Sequence, residues 1–270
     1  MRSSWTSSKP ALTYCIVLLL FFVPIFFLTK APVEPTIEIP IEPPPLQEEL
    51  PDFANILDVR EKKETFFDFI EPFVDEVNLE ILSQRQRVQS IRDKVLNSEE
   101  PTASDLRFLS TLSELYELET EELTSMEFLN VLLRRVDKIP ASLALAQAAN
   151  ESAWGTSRFA QDGKNFFGQW CYSDGCGLVP SRRREGATHE VRSFSSVKES
   201  VQSYIHNLNT FPSYQMLRRI RQQLRQQNRP INGISLADGL ESYSARGLDY
   251  VDELQQMIYS NELSNRDKPN

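Results

Sequence analysis

Ala146-Gln-Ala-Ala-Asn-Glu-Ser-Ala-Trp-Gly-Thr-Ser157 is the stretch on which the reading of this chain turns. An Ala/Leu-rich run from Pro140 leads into it, with proline at a favoured first helical position, so a helix over 140–150 is expected. A carboxylate, Glu151, closes that run, and Gly155 follows as a stop signal. One turn before Glu151 stand Gln147 and Ala148, and Trp154 lies three residues on. Cleaving a glycosidic bond needs a carboxylic acid kept protonated near neutral pH. Apolar and aromatic neighbours achieve this by disfavouring the ionised form. Glu151 meets that description. A lone Glu beside a Trp is also a common solvent-facing arrangement, so these residues by themselves leave both readings open.

Working outward, residues 162–177 form a loop region with four glycines and a cluster of aromatics, and 178–194 hold a polar stretch suited to a hairpin. Ser196 with Glu199 has the capping-box spacing for a helix over 196–208. Further helices are expected over 213–228, 236–243 and 251–260, giving a mainly helical part with a small β insertion. Cys171 and Cys176 lie in a short loop, WCYSDGCG. A disulfide is the favoured reading, with two free thiols or a metal site as alternatives. Two thiols lacking paired His are a poor zinc set, and the two histidines, His189 and His206, are too separated to supply one. No metal or cofactor is implied.

The N-terminal side reads differently. Residues 11–28 are an almost wholly apolar run preceded by Arg2 and Lys9. Eighteen residues at about 1.5 Å each reach about 27 Å, close to a bilayer's hydrocarbon thickness. With no small-x-small site after it, the run (residues 1–30) reads as an uncleaved signal-anchor, a cleaved signal being the rival. The positive-inside rule then leaves Met1–Pro10 in the cytoplasm and puts everything after Lys30 outside. Residues 31–54 are a Pro/Glu-rich extended spacer. From 55 to 135 a helical stem is expected, with Phe66, Phe67, Ile70, Phe73 and Val74, then Leu106, Leu109, Leu112 and Tyr116, at three-and-four spacing. Residues 31–135 hold 10 Lys and Arg against 24 Asp and Glu, while 136–270 hold 16 against 14. The acidity therefore belongs to the stem, where a protein partner could dock. No basic block interleaved with aromatics suggests nucleic-acid binding.

The run Asn150-Glu-Ser-Ala-Trp-Gly-Thr-Ser157, followed by Gly163-Lys-Asn-Phe-Phe-Gly-Gln-Trp170, resembles the glucosaminidase family of cell-wall hydrolases. Those carry a motif E-S-x-W-G-x-S and then N-L-F-G. The segments from Asn165 to Pro180, from His189 to Phe194, from Leu208 to Phe211 and from Tyr243 to Tyr250 resemble its bacterial Bax-type members. Over 136–265 the resemblance implies a lysozyme-like α+β catalytic domain with a small β-lobe. It implies cleavage of peptidoglycan glycan strands after N-acetylglucosamine. Glu151 matches the family's acid, and Tyr250 its late tyrosine, although Tyr243–Tyr250 is one residue longer than the family's Y-A-T-D-P-x-Y. Tyr243, Asn165, Phe167, Gly168, Trp170 and Trp154 would line the sugar cleft. Glu185 and Glu190 fall where a second carboxylate is often found, Glu190 being preferred. A substrate acetamido group acting as nucleophile is the alternative.

Two other readings remain. One is a lytic transglycosylase or muramidase, for which a single Glu and Gly168-Gln169 suffice. The other is a non-catalytic glycan-binding scaffold. Arg182–Arg184 could touch acidic polymers, but three arginines in a polar loop are ordinarily just solvated.

Overall fold

The computed structural model describes residues 49–269 apart from 120, 121, 182, 184 and 185. The signal-anchor, most of the Pro/Glu spacer and Glu185 lie outside the described residues. No helix among those described is long and apolar enough to cross a membrane.

The stem begins with α1 (Val59–Leu96), capped by the Asp58 carboxylate on the Glu61 amide at 2.8 Å. Its buried stripe is the one the spacing predicts, Phe66, Phe67, Ile70, Phe73 and Val74, continued by Val77, Ile81, Val88 and Ile91. Next comes α2 (Ala103–Leu115), which starts in a capping box formed by Thr102 and Asp105. It buries Leu109 and Leu112, with Tyr116 just beyond; Leu106, expected in the same stripe, faces solvent. The third helix, α3 (Met126–Arg135), is followed by α4 (Ala141–Ser152), on which every residue from 141 to 149 is buried. A helix apolar on all sides belongs at a centre. Helix α4 packs against α1, α8 (Gly233–Ala237) and α9 (Leu248–Ser260).

The described residues form one compact unit, and the apolar faces of stem and C-terminal part merge in one core. Two polar contacts brace this core. Asn78 on α1 exchanges hydrogen bonds with both backbone groups of Ile139, at 2.8 and 3.0 Å. Asp267, beyond the last helix, accepts from the Ser142 amide at 2.8 Å and so caps the start of α4.

The β insertion is a three-stranded antiparallel sheet: β1 (Trp170–Cys171) and β2 (Gly177–Leu178) flank β3 (Glu190–Arg192). It follows α5 (Arg158–Gly163) and precedes α6 (Val197–Thr210). Ser196 caps α6 through the Glu199 amide, but the Glu199 carboxylate reaches Ser195 rather than completing the box on Ser196. After α7 (Gln215–Gln226), the helix expected over 236–243 is instead the short α8 ending at Ala237, followed by turns. Those turns end at Gly247, whose φ of +58° favours glycine, and α9 starts at once. Tyr250 therefore sits in the first turn of α9, whereas the helix was expected to start at 251, just past it.

Candidate active site

Three features of the sequence bring Glu151 to its position. The buried α4 carries it to the last turn. Residues 153, 154 and 155 then all take positive φ, at 51°, 59° and 74°, turning the chain sharply away. The Ser152 hydroxyl braces this turn, donating to Ala148 O at 2.6 Å and accepting from the Gly155 amide at 2.8 Å. Much of the E-S-x-W-G motif thus builds the corner that holds the carboxylate.

A directional hydrogen-bond chain ends on Glu151. Tyr204 Oη donates to Gln147 Oε1 at 2.7 Å, Gln147 Nε2 donates to Tyr250 Oη at 3.0 Å, and Tyr250 Oη donates to Glu151 Oε1 at 2.9 Å. The Tyr243 ring stacks parallel to that of Tyr250, with centroids 5.6 Å apart, and its hydroxyl donates to Phe167 O at 2.9 Å. Phe167 in turn stacks on Tyr204 at 3.9 Å. The other carboxylate oxygen faces Gly168, where an added Cβ would lie 3.3 Å from Glu151 Oε2. Burial pushes the Glu151 pKa up, and the nearby charge of Glu253 adds to this, while the Tyr250 hydrogen bond and Arg246 pull it down. Burial and the Glu151 charge hold the Tyr250 hydroxyl far above its usual value, so it stays a donor.

The structure therefore brings Glu151, Tyr250, Tyr243, Phe167 and Gly168 together. The other expected residues have other partners. The left-handed turn swings the Trp154 ring onto α1, edge-on to Phe66 and Phe67 at 5.8 and 5.4 Å, under the Lys63 ammonium. Asn165 is buried and organises the loop rather than lining it. It donates to Gln169 O and Arg192 O, both at 2.9 Å, and accepts from the Phe167 and Gln169 amides. Trp170 is 56 % exposed on β1 and stacks on His189 at 4.4 Å.

Glu190, preferred as the second carboxylate, is buried on β3 and accepts from the Gly175 and Gly177 amides at 3.2 and 2.7 Å. Both its oxygens are engaged by the loop that the Cys171–Cys176 disulfide closes. Although Cys171, Cys176 and Glu190 lie close enough to suggest a metal set, the bridged sulfurs leave no thiolate to bind one. Glu253 is paired with Arg246 and receives Asn150 Nδ2 at 3.4 Å. Sequence reasoning gave no role to Gln147. The available signal was an amide in the middle of an Ala/Leu helix, four residues before Glu151 and hence on its face.

One carboxyl group whose pKa burial raises, oriented by a tyrosine at the end of a buried helix, is the arrangement that a glycosidase's general acid requires. Comparison with known proteins agrees. Residues 131–263 match the family described as mannosyl-glycoprotein endo-beta-N-acetylglucosaminidase. The chain is 32 % identical over 213 residues to protein bax of Escherichia coli (strain K12), covering 79 % of this chain and 74 % of that one. The chain belongs to the glucosaminidase family. A solved structure, the catalytic domain of the autolysin Auto from Listeria monocytogenes, is 20 % identical, and the match covers 66 % of this chain and 97 % of that one. Its TM-score is 0.34.

Proposed function

We propose that this chain hydrolyses the glycan strand of peptidoglycan after N-acetylglucosamine, with Glu151 as general acid in a lysozyme-like α+β domain. The observation that supports this best is the geometry at Glu151. Oε1 accepts from a tyrosine that does not ionise, so the acid proton resides on Oε2, the side that faces Gly168. A leaving-group oxygen approaching over Gly168 would meet that proton. Tyr250 then steadies the carboxylate formed as the proton leaves. Trp170 and Tyr243 are the aromatic surfaces offered to sugar rings.

The two carboxylates that could assist are both engaged, Glu190 in the disulfide loop and Glu253 by Arg246. That favours the substrate's own acetamido group as the internal nucleophile. It also keeps a transglycosylase as the second reading, since that reaction needs one carboxyl group. Incubating the chain with purified sacculi and identifying the soluble products by mass spectrometry separates the two. Reducing N-acetylglucosamine ends are expected, and anhydro-muramyl ends would replace this reading with the second.

In this reading residues 11–28 anchor the chain in the bacterial inner membrane, with residues after 31 in the periplasm. The apolar length, Arg2 and Lys9 support that topology, as does the disulfide, since such bridges persist in oxidising compartments.

A further inference from the structure

Away from Glu151, a cavity of about 270 Å³ opens between α1, α3 and α7. Five arginines line it, Arg85 and Arg92 from α1, Arg134 from α3, and Arg221 and Arg225 from α7, around one acid, Asp137. Asp137 is already shared. Arg225 holds it through two bonds, at 2.7 and 2.9 Å, and Arg85 stands at 3.3 Å. Arg221 is fully buried; its terminal nitrogens go to the carbonyls of Arg134, Asp137 and Lys138, and its Nε stands 3.8 Å from the shared Asp137. The remaining polar lining is amide, Gln89, Asn130, Gln222 and Gln226. The wall thus carries five positive charges against one negative.

Two donors are also left over. The Nε groups of Arg85 and Arg92, two turns apart on one face of α1, are buried without a hydrogen-bond partner among the described residues. A buried donor left unmet is costly, and a ligand oxygen would relieve it.

We propose that this cavity binds a phosphate group. Arg92 also reaches Asp93, just outside the wall, at 3.3 Å, which leaves an excess of three charges. That calls for an anion carrying more than one charge, and guanidinium forks from three helices suit a tetrahedral oxyanion better than a planar carboxylate. Mutual repulsion agrees: burial first, and then Arg225 and Arg92, depress the Arg85 pKa despite Asp137. The phosphate could be free or esterified, as in a lipid headgroup.

The test is calorimetric titration of the full chain with inorganic phosphate and with glycerol 3-phosphate, against sodium chloride at matched ionic strength. Saturable binding of phosphate is expected, weakened about tenfold in Arg92→Gln by loss of one charge-assisted bond. Arg92→Lys, which keeps the charge and loses Nε, should fall between, and Arg134→Gln at the rim should weaken binding without touching Asp137. Tighter binding of glycerol 3-phosphate assigns an esterified source, and equal binding a free one. Heat no greater than that of chloride, or wild-type affinity in folded Arg92→Gln and Arg134→Gln, overturns the proposal.

Discussion

Tyr250 Oη donates to Glu151 Oε1 at 2.9 Å while its own oxygen is taken by Gln147 Nε2 at 3.0 Å. With that lone pair occupied, the tyrosine proton is directed at the carboxylate, where it favours the ionised form and opposes the effect of burial. Tyr250→Phe should therefore move the alkaline limb of the activity profile to higher pH, as the Glu151 pKa climbs further. Activity at the optimum should fall about ten- to a hundredfold, the weight of one charge-assisted hydrogen bond. Gln147→Ala should shift the limb less, since it disturbs only the orientation of the hydroxyl. An unmoved limb in Tyr250→Phe would contradict the coupling.

Glu151→Gln should keep the fold and lose a hundredfold or more of muropeptide release, roughly the contribution of a positioned proton donor. Its stability carries a sign of its own. Burial raises the folded-state pKa of Glu151 above the ordinary 4.5. The stability this acid contributes is thus complete below that value and is lost as pH rises through the folded pKa. Thermal unfolding of Glu151→Gln, which never ionises, should gain on wild type as pH climbs from 4.5 toward neutrality. A constant difference across that range would mean Glu151 is not desolvated.

Gly168 is held at a φ of +66° with its missing Cβ directed at Glu151 Oε2. Gly168→Ala should cost about 1–2 kcal/mol from the left-handed backbone. It should also suppress cleavage far beyond that, because the methyl would occupy the path to the acid proton. Comparing kcat with melting temperature separates the two effects, and full activity in the variant would remove Gly168 from the cleft wall.

Periodicity carried the helices well wherever a stripe faces one core, as on α1, and failed where packing rather than pattern ends an element. Residues 236–243 show this: the pattern continues, but α8 ends at Ala237 and turns run to Gly247. A carboxylate ending an apolar helix drew attention to Glu151, but the residues alone left it open between an acid and a solvent-facing side chain. The E-S-x-W-G resemblance decided between them. The roles of Trp154 and Asn165 were not legible, since only the left-handed turn after Glu151 and the loop closed by Asn165 decide where those side chains point. Glu190 was ambiguous for a related reason. A carboxylate on a strand reads the same whether it faces a ligand or its own backbone.

The proposed membrane topology rests on charge and apolar length, with the Cys171–Cys176 disulfide in agreement. A reporter fused after residue 35 should be active only outside the cytoplasm, and the chain should remain with the membrane fraction. A soluble mature chain starting near Ala31 would establish a cleaved signal in place of the anchor.

The sharpest test of the single-acid reading lies at Glu190, whose two oxygens accept from the Gly175 and Gly177 amides. If those bonds are its role, Glu190→Gln exchanges one acceptor for a donor facing an N–H group. The cost should be roughly 1–3 kcal/mol of stability, the penalty of an unmet polar pair. That loss should fall on the loop between β1 and β2, seen as faster amide exchange there. Opening the Cys171–Cys176 bridge by double serine substitution should weaken the same loop by about 2 kcal/mol, as expected for so short a closure. Neither change touches Glu151, so cleavage by folded protein should stay within about threefold of wild type, well short of the hundredfold a catalytic proton-transfer group commands. A hundredfold loss in Glu190→Gln, with the disulfide intact and the melting temperature unchanged, would instead make Glu190 the second catalytic carboxylate and retire the role given to the acetamido group.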